Sequence, residues 1–216
     1  MSACAHLGGH GAPASAPYFT DFVDGRRGEI LDAALTVFAE KGYEAGTMRE
    51  IATRVGVTEP ALYRHYAGKE ALLLDLVATA GARISSEART RLEAFSVENL
   101  RESLTQLIHT RRTGASDTRN VMRTLMDAAP HNAALRETFK TKFGGPMVNN
   151  IREFIPRVDG AFGITRTADE LEGKVRAFMS LFVGYFMTSM FFGDSSSDEA
   201  IVDAMLAIMG WGGEAG

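Results

Sequence analysis

The chain holds little of what marks several large classes of protein. Among its 216 residues there is one cysteine, Cys4. No internal disulfide framework is therefore available, and a reducing, cytoplasmic setting is expected. Neither charge sign dominates: 23 Lys and Arg stand against 27 Asp and Glu, for a net charge of −4 and a pI near 5.8. Any affinity for nucleic acid must therefore come from a local surface rather than from the chain's overall charge. The first 25 residues contain no Lys or Arg, which excludes a basic arm for the minor groove. They also lack a charged segment followed by an apolar run, so no signal peptide is expected. The longest uncharged apolar stretch, 177–192, falls short of the ~18–20 residues that span a bilayer. Ser180, Gly184, Thr188 and Ser189 interrupt it, so it reads as buried helix, and no membrane partner is expected.

Catalytic signatures are missing as well. There is no HExxH, GxxxxGK[ST] or GxSxG, and no cluster of His and carboxylates at metal-binding spacing. His109 and His131 stand alone. The expectation is a protein that is not an enzyme and has no metal or cofactor. Strand-type alternation is absent, and no segment repeats at a period of 20–50 residues. The fold class is therefore expected to be all-α.

What is present is helical. Residues 1–25 are rich in Gly, Ala, Ser, Pro and His and read as a flexible tail, in which Cys4, His6 and His10 do not amount to a metal site. From Arg26 the residues Ile30, Ala34, Val37 and Phe38 recur at helical spacing, and Gly42 supplies a stop. Thr47 and Glu50 form a capping box for a short helix to Val55, and Gly56 can take the positive φ of a tight turn. Thr58 caps a further helix to about Tyr66, with Pro60 tolerated in its first turn. A longer helix opens at Lys69. Further on, Ser96 caps a helix over 97–112, Ser116 or Asp117 one to Ala128, and Thr167 with Glu170 a long helix to Phe192. The segment 196–199 opens a last helix to Met209. Gly144 and Gly145 are expected to separate a helix over 133–143 from another over 146–155.

Two short helices, a glycine turn and a free outer face make a helix-turn-helix. Small Ala52 lets the second helix approach, Val57 plugs the turn, and Leu62 and Tyr66 share the inward face. Pro60 and Arg64 then point outward, flanked by Ala61 and Tyr63.

The run Ile30-Leu31-Asp32-Ala33-Ala34, with Phe38, Gly42, Thr47, Ile51-Ala52, Gly56-Val57, Leu62-Tyr63, Tyr66, Lys69-Glu70 and Leu72, resembles the DNA-binding domain of the TetR family. The likeness covers about a quarter of the chain. It implies three regions: the tail 1–25, a DNA-binding domain 26–70 and a helical effector-binding and dimerisation domain 71–216. It also implies site roles. Thr47 and Thr58 at helix N-termini, Tyr63, His65 and Lys69 would contact phosphates. Arg49 and Arg64 would read guanine, unless they pair with Glu50 or Glu59. Glu59 would accept from cytosine or neutralise an arginine, and Pro60 and Ala61 would touch a thymine methyl.

The helix 168–192 is apolar around almost its whole circumference, so it needs cover on two sides. Ser180, Gly184 and Thr188 form a small-residue stripe. Together with Met187 and with Met205, Ile208 and Met209 of the last helix they are expected to pair with a second copy of the chain. Phe139, Phe143 and Met147, with Met122, Met126, Phe178 and Phe182, either line an apolar effector cavity or simply fill a core, with His109, Tyr185 or Asn149 as orienting polar groups. The resulting expectation is a homodimeric repressor that binds a palindromic duplex operator and is released by a small, largely apolar effector. An activator of the same fold, or a helical adaptor that does not bind DNA, is the alternative.

Overall fold

The computed structural model describes residues 18–113, 116–192 and 197–212, with side chains described outside 111–117 and 190–192. Cys4, His6 and His10 lie outside the described residues. Ten α-helices follow one another, and no strand occurs among the described residues. They are α1 (Arg26–Ala45), α2 (Met48–Val55), α3 (Glu59–Tyr63), α4 (Lys69–Glu93), α5 (Leu100–Thr113), α6 (Ser116–Ala128), α7 (Ala133–Phe139), α8 (Gly145–Ala161), α9 (Ala168–Phe192) and α10 (Asp198–Met209). The expected helix from Val97 starts three residues late, because Ser96 caps a turn at Asn99 before α5 begins.

The reading of residues 1–25 as a free tail needs correcting at its end. Phe19 is fully buried and Tyr18 nearly so. The Asp32 carboxylate on α1 accepts the backbone N–H groups of Tyr18, Phe19 and Thr20 at 2.8, 2.6 and 3.0 Å. A charged acceptor thus satisfies a whole turn of backbone donors, and the two aromatic rings are carried into the core. Two adjacent rings make no periodicity, which is why the pattern of apolar residues did not reveal them.

α1 follows its pattern. Ile30, Leu31, Ala34, Leu35, Val37 and Phe38 are buried, and the helix breaks at Gly42, where φ is 82°. The core they enter is not confined to the first 70 residues. It runs continuously through Leu72, Leu73, Leu76 and Val77 of α4 and Val121, Met122, Leu125 and Ala128 of α6. α4 crosses residue 70 without a break. A second core joins α5, α8, α9 and α10 around Phe154, Phe178 and Trp211. There the buried Asp159 binds Arg166 through both oxygens and accepts the Trp211 indole N–H at 2.8 Å.

The expected break at Gly144-Gly145 is instead a widened, π-helical turn over Lys140–Gly144 between α7 and α8. Both glycines keep helical angles, φ −63° and −60°. The cause is Pro146, which has no N–H to donate and whose ring would strike the carbonyl of Lys142 in a regular helix. An extra residue in the turn relieves the clash while Gly145 N–H bonds back to Lys140. That turn presses on α4, where a Cβ at Gly81 would lie 2.7 Å from the Lys142 carbonyl oxygen.

α9 does need cover on several sides, but the chain supplies most of it. Val175, Phe178 and Tyr185 enter the second core, while Met179, Phe182, Val183, Phe186 and Met187 face a cavity. Ser180, Gly184 and Thr188 remain exposed. On α10, Met205 and Met209 are completely buried in the chain's own core. The expectation that they meet a partner is thereby corrected, because a side chain without exposed surface has nothing to offer one. Ile208 is 40% exposed.

Gly81→Ala should lower stability by about 1–3 kcal/mol, since its Cβ would meet backbone rather than a movable side chain. Gly173→Ala on α9, with nothing within 4 Å, should raise it by about 0.5–1 kcal/mol through helix propensity. Urea unfolding of the two variants checks both signs.

Candidate nucleic-acid interface and ligand cavity

The helix-turn-helix is built from its caps. Thr47 Oγ1 accepts the Glu50 N–H at 3.2 Å and the Glu50 carboxylate accepts the Thr47 N–H at 3.1 Å. Both polar groups of Thr47 are thus engaged within the cap, since its hydroxyl also donates to Glu50 at 3.0 Å. Gly56 takes φ 77° to turn the chain, and Thr58 caps α3 at the Ala61 N–H, 3.4 Å away. Regular α3 ends at Tyr63, and a looser turn carries on to Tyr66, whose N–H reaches the Leu62 carbonyl at 3.1 Å. Ala52 and Leu62 are buried where the two helices cross.

The outer face is set by what its charges do. Thr58, Pro60, Tyr63, Arg64 and His65 are exposed, with Glu59 and Ala61 half-buried beside them, and Arg49 is exposed on α2. Among the described residues, the side chains of Arg49, Glu59, Arg64 and His65 make no hydrogen bond or ion pair. The neighbouring cations are neutralised: Arg54 binds both Glu40 oxygens at 3.1 and 3.2 Å, and Lys41 binds Glu50, holding that carboxyl below its usual range. The pairings of Arg49 with Glu50 and of Arg64 with Glu59 do not form. Lys69 is half-buried, its Nζ donating to the carbonyls of Tyr43 and Glu44 at 2.8 and 2.9 Å and lying 4.5 Å over the Tyr43 ring. It ties the broken end of α1 to the start of α4 and keeps one N–H for other partners.

Tyr66 is half-buried rather than fully in the core. Its hydroxyl donates to Asp75 at 2.6 Å, and Arg27 grips the same carboxylate at 2.6 and 3.0 Å while bonding Thr79 at 2.9 Å. Burial, then the bond to Asp75, pushes the Tyr66 phenol far above its usual value. Burial also pushes Asp75 upward, but the bonds from Arg27 and Tyr66 outweigh it and hold the carboxyl below the usual carboxylate range. One carboxylate thus fastens α1, the turn that follows α3, and α4 together. Further contacts reach this domain from the remainder of the chain. Asp127 on α6 accepts the Tyr43 N–H at 2.8 Å, and Asn132 donates to Glu70 at 2.7 Å.

A cavity of about 570 Å³ lies behind those contacts. Met122, Met126, Phe139, Phe143, Met147 and Phe182 line it, as expected of a lined rather than a filled site. Phe139 and Phe143 stack at 4.8 Å across the π-helical turn. Four expected members do not line it. Phe178 is buried in the second core. Tyr185 points to Asp198 at 2.7 Å and His109 to the same residue at 3.1 Å, so neither orients a ligand there. Asn149 accepts from Arg152 instead. Sequence reasoning missed Ile84, Leu125, Met179, Phe186 and Arg136, and it assigned Met187 to a partner although it lines this wall. Arg136 lies one turn before Phe139, on the same face, but a cation does not register in an apolar stripe. Among the described residues no three His, Cys, Asp or Glu gather as metal ligands, and no helix is long and apolar enough to cross a membrane.

Residues 30–76 match the family model described as bacterial regulatory proteins, tetR family. The chain carries a TetR-family DNA-binding domain. This domain is 51% identical over 51 residues to the HTH-type transcriptional activator FasR of Mycolicibacterium smegmatis, covering 24% of this chain and 23% of that protein. It is 44% identical over 55 residues to the HTH-type transcriptional repressor KstR2 of Mycobacterium tuberculosis, covering 26% and 28%. The match therefore spans about a quarter of the length of these curated relatives. Behind the TetR-type domain the likeness is one of fold. The crystal structure of FadR from Bacillus subtilis in complex with stearoyl-CoA superposes with a TM-score of 0.66 at 18% identity, over 84% of this chain and 96% of that one.

Asp75→Asn should destabilise the chain by about 1 kcal/mol, a modest figure because the site is half in solvent. A carboxylate held low in the folded state contributes stability above the ordinary Asp range and loses it as pH falls below that range. The variant should therefore show a flatter acid limb in urea unfolding midpoints plotted against pH.

Proposed function

We propose that the protein is a ligand-responsive transcriptional regulator, most simply a repressor, which binds a palindromic duplex operator as a homodimer and is released by a small, largely apolar effector. The observation that carries this reading is the pairing of an outer α3 face, bearing unpaired Arg64, Tyr63 and His65, and an unpaired Arg49 exposed on α2, with an apolar cavity whose wall shares a core with that face's own domain. Unpaired arginines on a helix-turn-helix suit bidentate contact with guanine, and Thr58, Tyr63 and His65 suit phosphates. Pro60 and Ala61 leave room for close approach to a thymine methyl. Glu59, unpaired here, fits a cytosine amino group. Lys69, with one N–H free, positions the domain on the backbone, and the N-terminus of α2 at Thr47 suits a further phosphate.

A dimer must hold two recognition helices about 34–36 Å apart to enter successive major grooves. The exposed stripe of Ser180, Gly184 and Thr188, with Ile208, is the surface this reading assigns to the second copy. An effector that prefers a different spacing weakens DNA binding by its differential affinity for the two arrangements. α4 carries the change, since it runs from Lys69 at the DNA-binding domain to Ile84 at the cavity. Repressors and an activator both occur among the relatives of the DNA-binding domain, and the operator's position relative to a promoter separates the two.

Selection of bound duplexes from a random pool should recover a palindrome, with log K falling linearly with log salt. Arg64→Ala or Arg49→Ala should relax preference at particular base positions by about 1–3 kcal/mol. Lys69→Ala should weaken all sequences alike and flatten the salt slope. Indifference to every duplex at low ionic strength sinks the regulator reading and favours an adaptor.

A further inference from the structure

We propose that the cavity takes an amphiphile with one anionic head, a monocarboxylate on a long apolar body, and that Arg136 reads the head. This rests on the reading of the cavity as an effector site and names the chemistry of that effector.

Every side chain lining the cavity is apolar except Thr118 and Arg136. A polar group placed deep among Met122, Phe143, Met179 and Phe182 would lose its hydration without a partner, so the body of the ligand is hydrocarbon. The volume, about 570 Å³, suits a body on the order of a dozen or more carbon atoms. Such a wall sets no orientation by itself. Arg136 is the one charged residue in it, and it stands exposed at the mouth near Met126 and Val183, which are 42% and 41% exposed.

The state of that guanidinium is informative. Arg27, Arg54, Arg83, Arg152 and Arg166 each bind a carboxylate. Arg136 binds none among the described residues. Its Nη1 donates to the carbonyls of Ala129 and Pro130 at 2.8 and 3.1 Å, which fixes the group while Nε and Nη2 keep their protons free. A positioned planar cation with a free edge is a carboxylate receptor.

The same contacts give the head a consequence. The carbonyls that Arg136 holds belong to the 3₁₀ turn Ala129–His131. On one side of that turn Asp127 bonds the Tyr43 N–H, and on the other Asn132 bonds Glu70, both in the DNA-binding domain. A carboxylate on the free Nε and Nη2 edge leaves the Nη1 bonds to Ala129 and Pro130 in place, so the bound head is tied through one guanidinium to the turn between the two latches.

The test measures dodecanoate, 1-dodecanol and dodecylammonium on the full chain by displacement of a fluorescent apolar probe. Dodecanoate should bind about tenfold tighter than the alcohol, and dodecylammonium weakest. Arg136→Gln should bring dodecanoate down to the alcohol's affinity while leaving alcohol binding intact, which also shows that the cavity is folded. Arg136→Lys should keep part of the preference. Equal affinity for acid and alcohol, a preference that survives Arg136→Gln, or no displacement by any of the three overturns the proposal. Running the titrations with and without selected operator duplex separates the two readings. A chain that binds dodecanoate by this rule but no duplex sinks the regulator alone, whereas one that binds duplex without preferring the acid sinks only the effector class.

Discussion

The constraint on which the rest depends is that α1 has no core of its own. A 20-residue helix buries Ile30, Leu31, Ala34, Leu35 and Phe38, but the two short helices around the turn are too small to enclose that surface. α6 and α4 complete the enclosure with Val121, Met122, Leu125 and Leu76. Small domains bury too little of their surface to stand alone comfortably, and here the remedy is to borrow a wall from the part of the chain that lines the cavity. Met122 belongs to both, a core residue on one side and a cavity residue on the other. Interiors are close-packed and deform little, so a change on one side of Met122 is felt on the other.

Polar contacts sharpen this shared packing into fixed geometry. The Arg27–Asp75–Tyr66 junction fixes the start of α1 against α4, while the grip of Lys69 on the Tyr43 and Glu44 carbonyls and the bond from Asp127 to the Tyr43 N–H hold the broken end of α1. Pairing consumes most of the charge on this domain, leaving Arg49 and Arg64 without partners on the outer face. A chain with a net charge of −4 can still present a cationic surface, because what matters is which cations are already neutralised within a few ångströms.

Local chemistry was legible from residues alone. The Thr47–Glu50 box, the Gly42 break, the Gly56 turn and the Thr58 cap all form as the spacing implied, as does the second box at Thr167 and Glu170. Each spans four residues or fewer, so its hydrogen bonds are decided by the backbone nearby. The Gly144-Gly145 break was misread for a related reason. Two glycines suggest an interruption, but Pro146 together with packing on Gly81 favours one widened turn over two separate helices.

The residues by themselves determined that the chain is helical, that it carries a helix-turn-helix with Arg64 and Tyr63 facing out, and that α9 is apolar nearly all round. Only tertiary structure decided what each apolar face meets: Phe178 a filled core, Phe182 a cavity, Met205 and Met209 the interior of their own subunit. It also decided that His109 and Tyr185 turn to Asp198 while Arg136 stands at the cavity mouth. Periodicity reports which side of a helix avoids water. It carries no information about whether side chains, empty volume or a second chain lies opposite, because that depends on segments distant in the sequence.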